Sequence, residues 1–107
     1  MANILVVFVT VGDGDEAFRI GRSLVEEKLV ACVNMIPQIR SIYWWKGEVC
    51  DDQEVLLVMK TPSYMFDSLQ SRIRELHSYE LPEIIALPVD RGLPEYLDWV
   101  VENTIQG

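Results

Sequence analysis

Ile39-Arg-Ser-Ile-Tyr-Trp-Trp-Lys46, followed by Gly47-Glu48 and then Val49 to Lys60 (VCDDQEVLLVMK), is the stretch that decides the fold. Side chains alternate sides along a strand, so Ile39, Ser41, Tyr43 and Trp45 share one face. Arg40, Ile42, Trp44 and Lys46 share the other. Lys46-Gly47-Glu48 supplies a turn, because glycine takes the positive φ that tight hairpins need. The return strand runs from about Val49 to Lys60, with Val55 to Met59 as its buried section. A hairpin therefore sits in the middle of the chain, and its flanks settle the topology.

Upstream, Ile4 to Val11 (ILVVFVTV) is an unbroken apolar run, the pattern of a strand buried on both faces. Gly12-Asp13-Gly14-Asp15 ends it. Asp13 is placed to cap a helix, with Glu16 in the capping-box position three residues on. Ala17, Ile20, Leu24 and Val25 recur at helical spacing and predict an amphipathic helix ending near Lys28. Val30 to Ile36 reads as a strand, interrupted or bent by Pro37 before the hairpin. Downstream, Thr61-Pro62 reads as a helix N-cap followed by proline at the first helical position. Met65, Leu69, Ile73 and Leu76 form the stripe of that helix. Ile84 to Val89 is a fourth strand, placed by Pro88 at an edge or bulge, and Leu93-Pro94-Glu95 opens a last helix carrying Leu97, Val100 and Val101. The order β-α-β-β-α-β plus a C-terminal helix is an α/β (α+β) ferredoxin-like sandwich. It predicts one domain over residues 1–107, with helices on one face of a four-stranded antiparallel sheet.

The chain has 107 residues, half of them hydrophobic, and a net charge of -8. Nucleic-acid affinity rests on lysine and arginine neutralising phosphates, so this balance excludes DNA and RNA as expected partners. It equally disfavours an anionic membrane surface. Met1-Ala2-Asn3 leads straight into the first strand, without a basic leader or cleavage site, and the apolar run is too short to span a membrane. Cys32 and Cys50 form no disulfide pattern. The expectation is a cytoplasmic protein with reduced thiols, no membrane partner and no organic cofactor.

Candidate chemistry is sparse. Cys32 and the single histidine, His77, can be imagined as a thiolate pair, but a cysteine in a strand is ordinarily a small buried hydrophobe. His77 closes a helix, where an imidazolium would interact with the C-terminal carbonyls. With Glu80 and Glu83 in His77-Ser-Tyr-Glu-Leu-Pro-Glu83 it also offers imidazole and carboxylate to a weak divalent metal, and Cu(II) stands highest in the affinity order for such ligands. Asp51, Asp52 and Glu54 read as a solvated or edge-protecting cluster. No catalytic constellation emerges, so the expectation is a protein that is not an enzyme. Tyr43-Trp44-Trp45 is the most conspicuous feature. Its tryptophans point to opposite faces, a two-layer domain covers one of them, and self-association into a closed symmetric oligomer would cover the other.

Several runs resemble the CutA divalent-cation tolerance proteins: Leu24 to Pro37 (LVEEKLVACVNMIP), Ser41 to Gly47 (SIYWWKG), Leu57 to Thr61 (LVMKT), His77 to Ile84 (HSYELPEI) and Tyr96 to Trp99 (YLDW). The resemblance covers nearly the whole chain in unbroken order. It implies a ferredoxin-like fold assembled as a homotrimer, an architecture similar to the PII signalling proteins, and a link to divalent-metal tolerance, chiefly copper. It also implies that Cys32, Trp45, Lys60, Tyr79 and Glu83 gather near a cleft between subunits, where a metal ion or small ligand binds. Two departures stand out. Ser78 replaces the proline of a His-Pro-Tyr motif, which implies a looser loop. Val9 and Leu76 stand where some members carry a cysteine and a second histidine, so that copper ligand set is absent. The competing expectation is a trimeric scaffold or adaptor that binds a protein partner, with metal binding incidental.

Overall fold

The central hairpin forms as the alternation requires. In the computed structural model, which describes residues 3–106, β2 (Cys32–Trp45) pairs antiparallel with β3 (Glu48–Pro62), from Cys32 opposite Lys60 to Trp45 opposite Glu48. Met1, Ala2 and Gly107, the ends of the expected domain, lie outside the described residues. Lys46 (φ 50°) and Gly47 (φ 82°) make the two-residue connection. Positive φ at both positions is the type I′ geometry, whose twist matches that of the flanking strands. The ladder breaks only between Ile36 and Ile39, where Pro37 has no N–H to donate and Gln38 adopts φ 59°.

β1 (Ile4–Val11) lies between β3 and β4 (Ile84–Pro88), giving the order β2-β3-β1-β4 with every pairing antiparallel. Pro88 thus sits on an edge strand, where a missing donor costs no ladder bond. α1 (Gly14–Glu26) and α2 (Phe66–Leu76) cover one face. Val7, Val9 and Val11 of β1, with Val55, Leu57 and Met59 of β3, pack there against Ala17, Ile20, Leu24, Leu69 and Ile73. Asp13 caps α1 by accepting the Glu16 N–H, as the capping box requires.

Four expectations are corrected. The first strand is not buried on both faces: Val6, Phe8 and Thr10, opposite in parity to Val7, are only half-buried. Thr61-Pro62 does not start α2. Both residues remain in β3, the Thr61 hydroxyl donates to the Leu29 carbonyl, and a short 3₁₀ turn (Ser63–Met65) precedes the helix. The Glu16 carboxylate does not return to the Asp13 backbone but binds Ser78 instead. Finally, the helices are not confined to one face. α3 (Pro94–Glu102) buries Val100 against Ile4 and Ala31, and Ile4 has the parity of Val6 rather than Val7, so α3 caps one end of the opposite face. The rest of that face is open sheet.

Candidate functional site

The open face is read from the register. Val6, Phe8 and Thr10 of β1 stand in line with Lys60, Val58 and Leu56 of β3, with Cys32, Asn34 and Ile36 of β2, and with Leu87 and Ile85 of β4. Beyond the bulge the same face carries Ser41, Tyr43 and Trp45 opposite Asp52, Cys50 and Glu48. The middle is therefore apolar and both ends are polar. Ile85 and Leu87 are each more than half exposed, although nothing about isoleucine or leucine favours water.

At the arm end, a cleft of about 1050 Å³ lies between the hairpin and the loop that leads into β4. Tyr43, Trp45, Asp52, Glu54, Tyr79 and Glu83 contribute to its wall, with no lysine or arginine among its lining residues. Glu54 is only 6% exposed, and its Oε2 accepts the Tyr79 hydroxyl at 2.7 Å. Asp52, two residues away and exposed, accepts the Tyr43 hydroxyl at 2.7 Å. Burial first, then the bond to Glu54, holds the Tyr79 phenol well above its ordinary range. The bond to Asp52 pushes Tyr43 up to about 12.

The loop carrying Tyr79 is fixed by His77 and Glu16. Nδ1 of His77 accepts the Tyr79 N–H at 3.0 Å, and Nε2 lies 2.8 Å from the Thr10 carbonyl. An Nδ1 that accepts carries no proton, so Nε2–H donates to Thr10 and a single neutral tautomer satisfies both bonds. The ring is fully buried, with Nδ1 3.7 Å from a Glu16 oxygen. Glu16 itself accepts the Ser78 N–H and the Ser78 hydroxyl, both at 2.8 Å. Ser78 therefore tightens the loop, the reverse of what the lost proline implies, since proline could make neither bond.

The other end holds a smaller group. Cys32 begins β2 directly opposite Lys60, and its Sγ lies 3.5 Å from the Tyr96 hydroxyl of α3. That contact, more than burial, pushes the Tyr96 phenol up to about 12. The Lys60 ammonium donates to the Asn34 side-chain oxygen. One chain thus divides the five cleft residues that the resemblance implies. Trp45, Tyr79 and Glu83 are toward the arm end; at about 3.3 Å per residue along β3, Cys32 and Lys60 are ~20 Å from Glu54, which Tyr79 contacts, and ~40 Å from Glu48, which faces Trp45.

The metal expectation fares differently. A cation at His77 would have to break one of its two hydrogen bonds, whereas Glu80 is exposed beside Lys46, 3.6 Å from its ammonium. Among the described residues no three His, Cys, Asp or Glu side chains gather as a metal site. The donors present within one chain do not fit a resident copper ion. Val9 and Leu76 belong to the apolar core, and Cys32 makes no pair with His77. Sequence reading missed Glu16, Tyr43, Glu54 and Tyr96 as organising residues. The acidic cluster also splits by parity: Asp51 binds Arg40 in a two-point pair on one face, while Asp52 and Glu54 turn to the other.

A family model described as CutA1 divalent ion tolerance protein matches residues 5–103. The chain belongs to the CutA1 family. It is 52% identical over 99 residues to the divalent-cation tolerance protein CutA of Thermus thermophilus, spanning 92% of this chain and 96% of that one. It is 43% identical over 100 residues to Protein CutA 1, chloroplastic, of rice, spanning 94% of this chain and 56% of that protein. The crystal structure of CutA1 from rice superposes with a TM-score of 0.96 at 40% identity, covering 99% of this chain and 97% of the other. This member of the CutA family therefore spans nearly all of its bacterial relative and just over half of the plant one.

Proposed function

We propose that this CutA protein works as a cytoplasmic homotrimer in the response to divalent metal, copper foremost, taking a metal ion or small ligand at clefts where subunits meet. The observation that supports this most strongly is the open sheet face. It carries an apolar middle that one chain leaves uncovered, and its two polar ends each hold part of the residue set expected at one cleft. Assembly brings such ends together without any change in fold. The exposed carboxylates of Glu80 and Glu83 at the cleft mouth are the oxygen donors left for a weakly held cation.

Calorimetric titration of the assembled protein with CuCl2 at neutral pH tests the ligand part. The expected result is a weak, saturable heat in the wild type that is lost in Glu80→Gln/Glu83→Gln. No heat with the wild type would overturn metal binding and favour the adaptor reading. That reading has its own observation: Ile42, Trp44 and Val49 form an apolar patch on the outer side of the arm, with Trp44 73% exposed.

A further inference from the structure

His77 is the chain's only histidine, and its side chain is fully enclosed, although imidazole is the group that ordinarily gains or loses charge between about pH 5 and 8. Both ring nitrogens are committed. Nε2–H donates to the Thr10 carbonyl of β1, and Nδ1 accepts the Tyr79 N–H. The second bond exists only while Nδ1 carries no proton, because an imidazolium has two donors and no acceptor. Around the ring, α1 presents the Glu16 carboxylate, 3.7 Å from Nδ1, and the loop presents the Tyr79 phenol, its ring centroid 4.7 Å away. Glu54 of β3 stands behind that phenol, accepting its hydroxyl. β1 offers only the Thr10 carbonyl, and α2 ends at His77, whose backbone N–H donates to the Ile73 carbonyl. Among the described residues no lysine or arginine is bonded to any of these titratable groups.

We infer that protonation of His77 is a switch: Nδ1 takes a proton from solvent, exchanges the Tyr79 N–H for the Glu16 carboxylate, and releases the loop that carries the Tyr79 wall of the cleft. All the groups involved belong to one chain, so the device is independent of assembly. Oε2 of Glu16, the oxygen nearest Nδ1, already accepts the Ser78 N–H. The carboxylate that ties the loop down at neutral pH is thus the one that the imidazolium competes for, and a single proton loosens two neighbouring anchors. In the released arrangement no N–H is stranded against the charged ring. That arrangement therefore binds the proton more tightly, and falling pH populates it.

Because the chain has a single histidine, its ring signals are unambiguous in NMR. Long-range 1H–15N spectra of the labelled protein are recorded from about pH 8 to pH 5, with Tyr79 amide exchange followed in the same samples and circular dichroism confirming the native fold. At the upper end the ring is expected as the Nε2–H tautomer. As it charges, protection of the Tyr79 amide, corrected for the intrinsic effect of pH on exchange, is expected to fall at least ~10-fold with the same midpoint. His77→Gln, which keeps an acceptor oxygen and an N–H donor but takes no proton, is expected to hold that protection constant. A ring still neutral at pH 5 would overturn the switch, as would a charged ring beside an unchanged Tyr79 amide. So would a loss of protection that persists in His77→Gln, or whose midpoint differs from that of the ring. Should the glutamine variant not fold, the two wild-type midpoints decide the matter.

Discussion

Ser78 shows how one residue can alter a loop without altering the fold. Its N–H and hydroxyl both reach Glu16, a buried carboxylate at the start of α1, and so tie the Tyr79 loop to the first helix. Hydrogen bonds to a charged group are worth about 1.5 to 3 kcal/mol, so Ser78→Ala should lower unfolding stability by that amount in urea. Ser78→Pro, which removes both bonds, should cost more. A proline variant as stable as wild type would show that the clamp is idle. Tyrosines provide a second residue-scale prediction. Tyr43, Tyr79 and Tyr96 all have pKa values raised above the ordinary 10.0. The folded chain therefore keeps protons that the unfolded chain has lost. Their stabilising contribution is complete below pH 10 and declines as pH rises toward 12, because the unfolded state then binds fewer protons. Phenolate absorbance should rise later in the native protein than in urea, and Tyr79→Phe should flatten the alkaline loss of stability. None of this was legible in the sequence. Residues 62 positions apart, Glu16 and Ser78, meet only because the start of α1 and the α2–β4 loop converge.

Elements were far more legible, because their signals are local. Alternation through Tyr43-Trp44-Trp45 and a glycine at the turn located the hairpin to within a residue or two. The errors share one physical cause. Apolar runs identify strands but not what covers them, so β1 looked doubly buried although its open side is half-exposed in one chain. Thr61-Pro62 carried a sound capping signal, yet the β3 ladder continued through both residues and used the threonine hydroxyl elsewhere. The turn itself offers a clean test. A Cβ added at Gly47 would meet no atom within 4 Å, so Gly47→Ala is penalised only by its φ of 82°. The expected loss is about 1 to 2 kcal/mol, read from the chemical denaturation midpoint. An unchanged midpoint would mean that the arm contributes nothing to the cooperative unit.

At the scale of the whole molecule, the sequence contained both halves of the candidate cleft but not their separation. Family-like motifs gather Cys32, Trp45, Lys60, Tyr79 and Glu83 in name, whereas a single chain holds them in two groups at opposite ends of one sheet face. The proposed self-association would bring the two groups together and cover the exposed Ile85, Leu87 and Trp45. Trp45, one-third exposed on that face, is then an anchor. Trp45→Ala should cost about 3 to 5 kcal/mol per site and make the melting temperature concentration-dependent. A trimeric variant with an unchanged melting temperature would remove Trp45 from the interface. The most direct test of the account is the mass of the wild-type protein in solution, by light scattering on a size-exclusion column at micromolar concentration. The account predicts three times the 12.3 kDa chain mass, and a single-chain mass would contradict it.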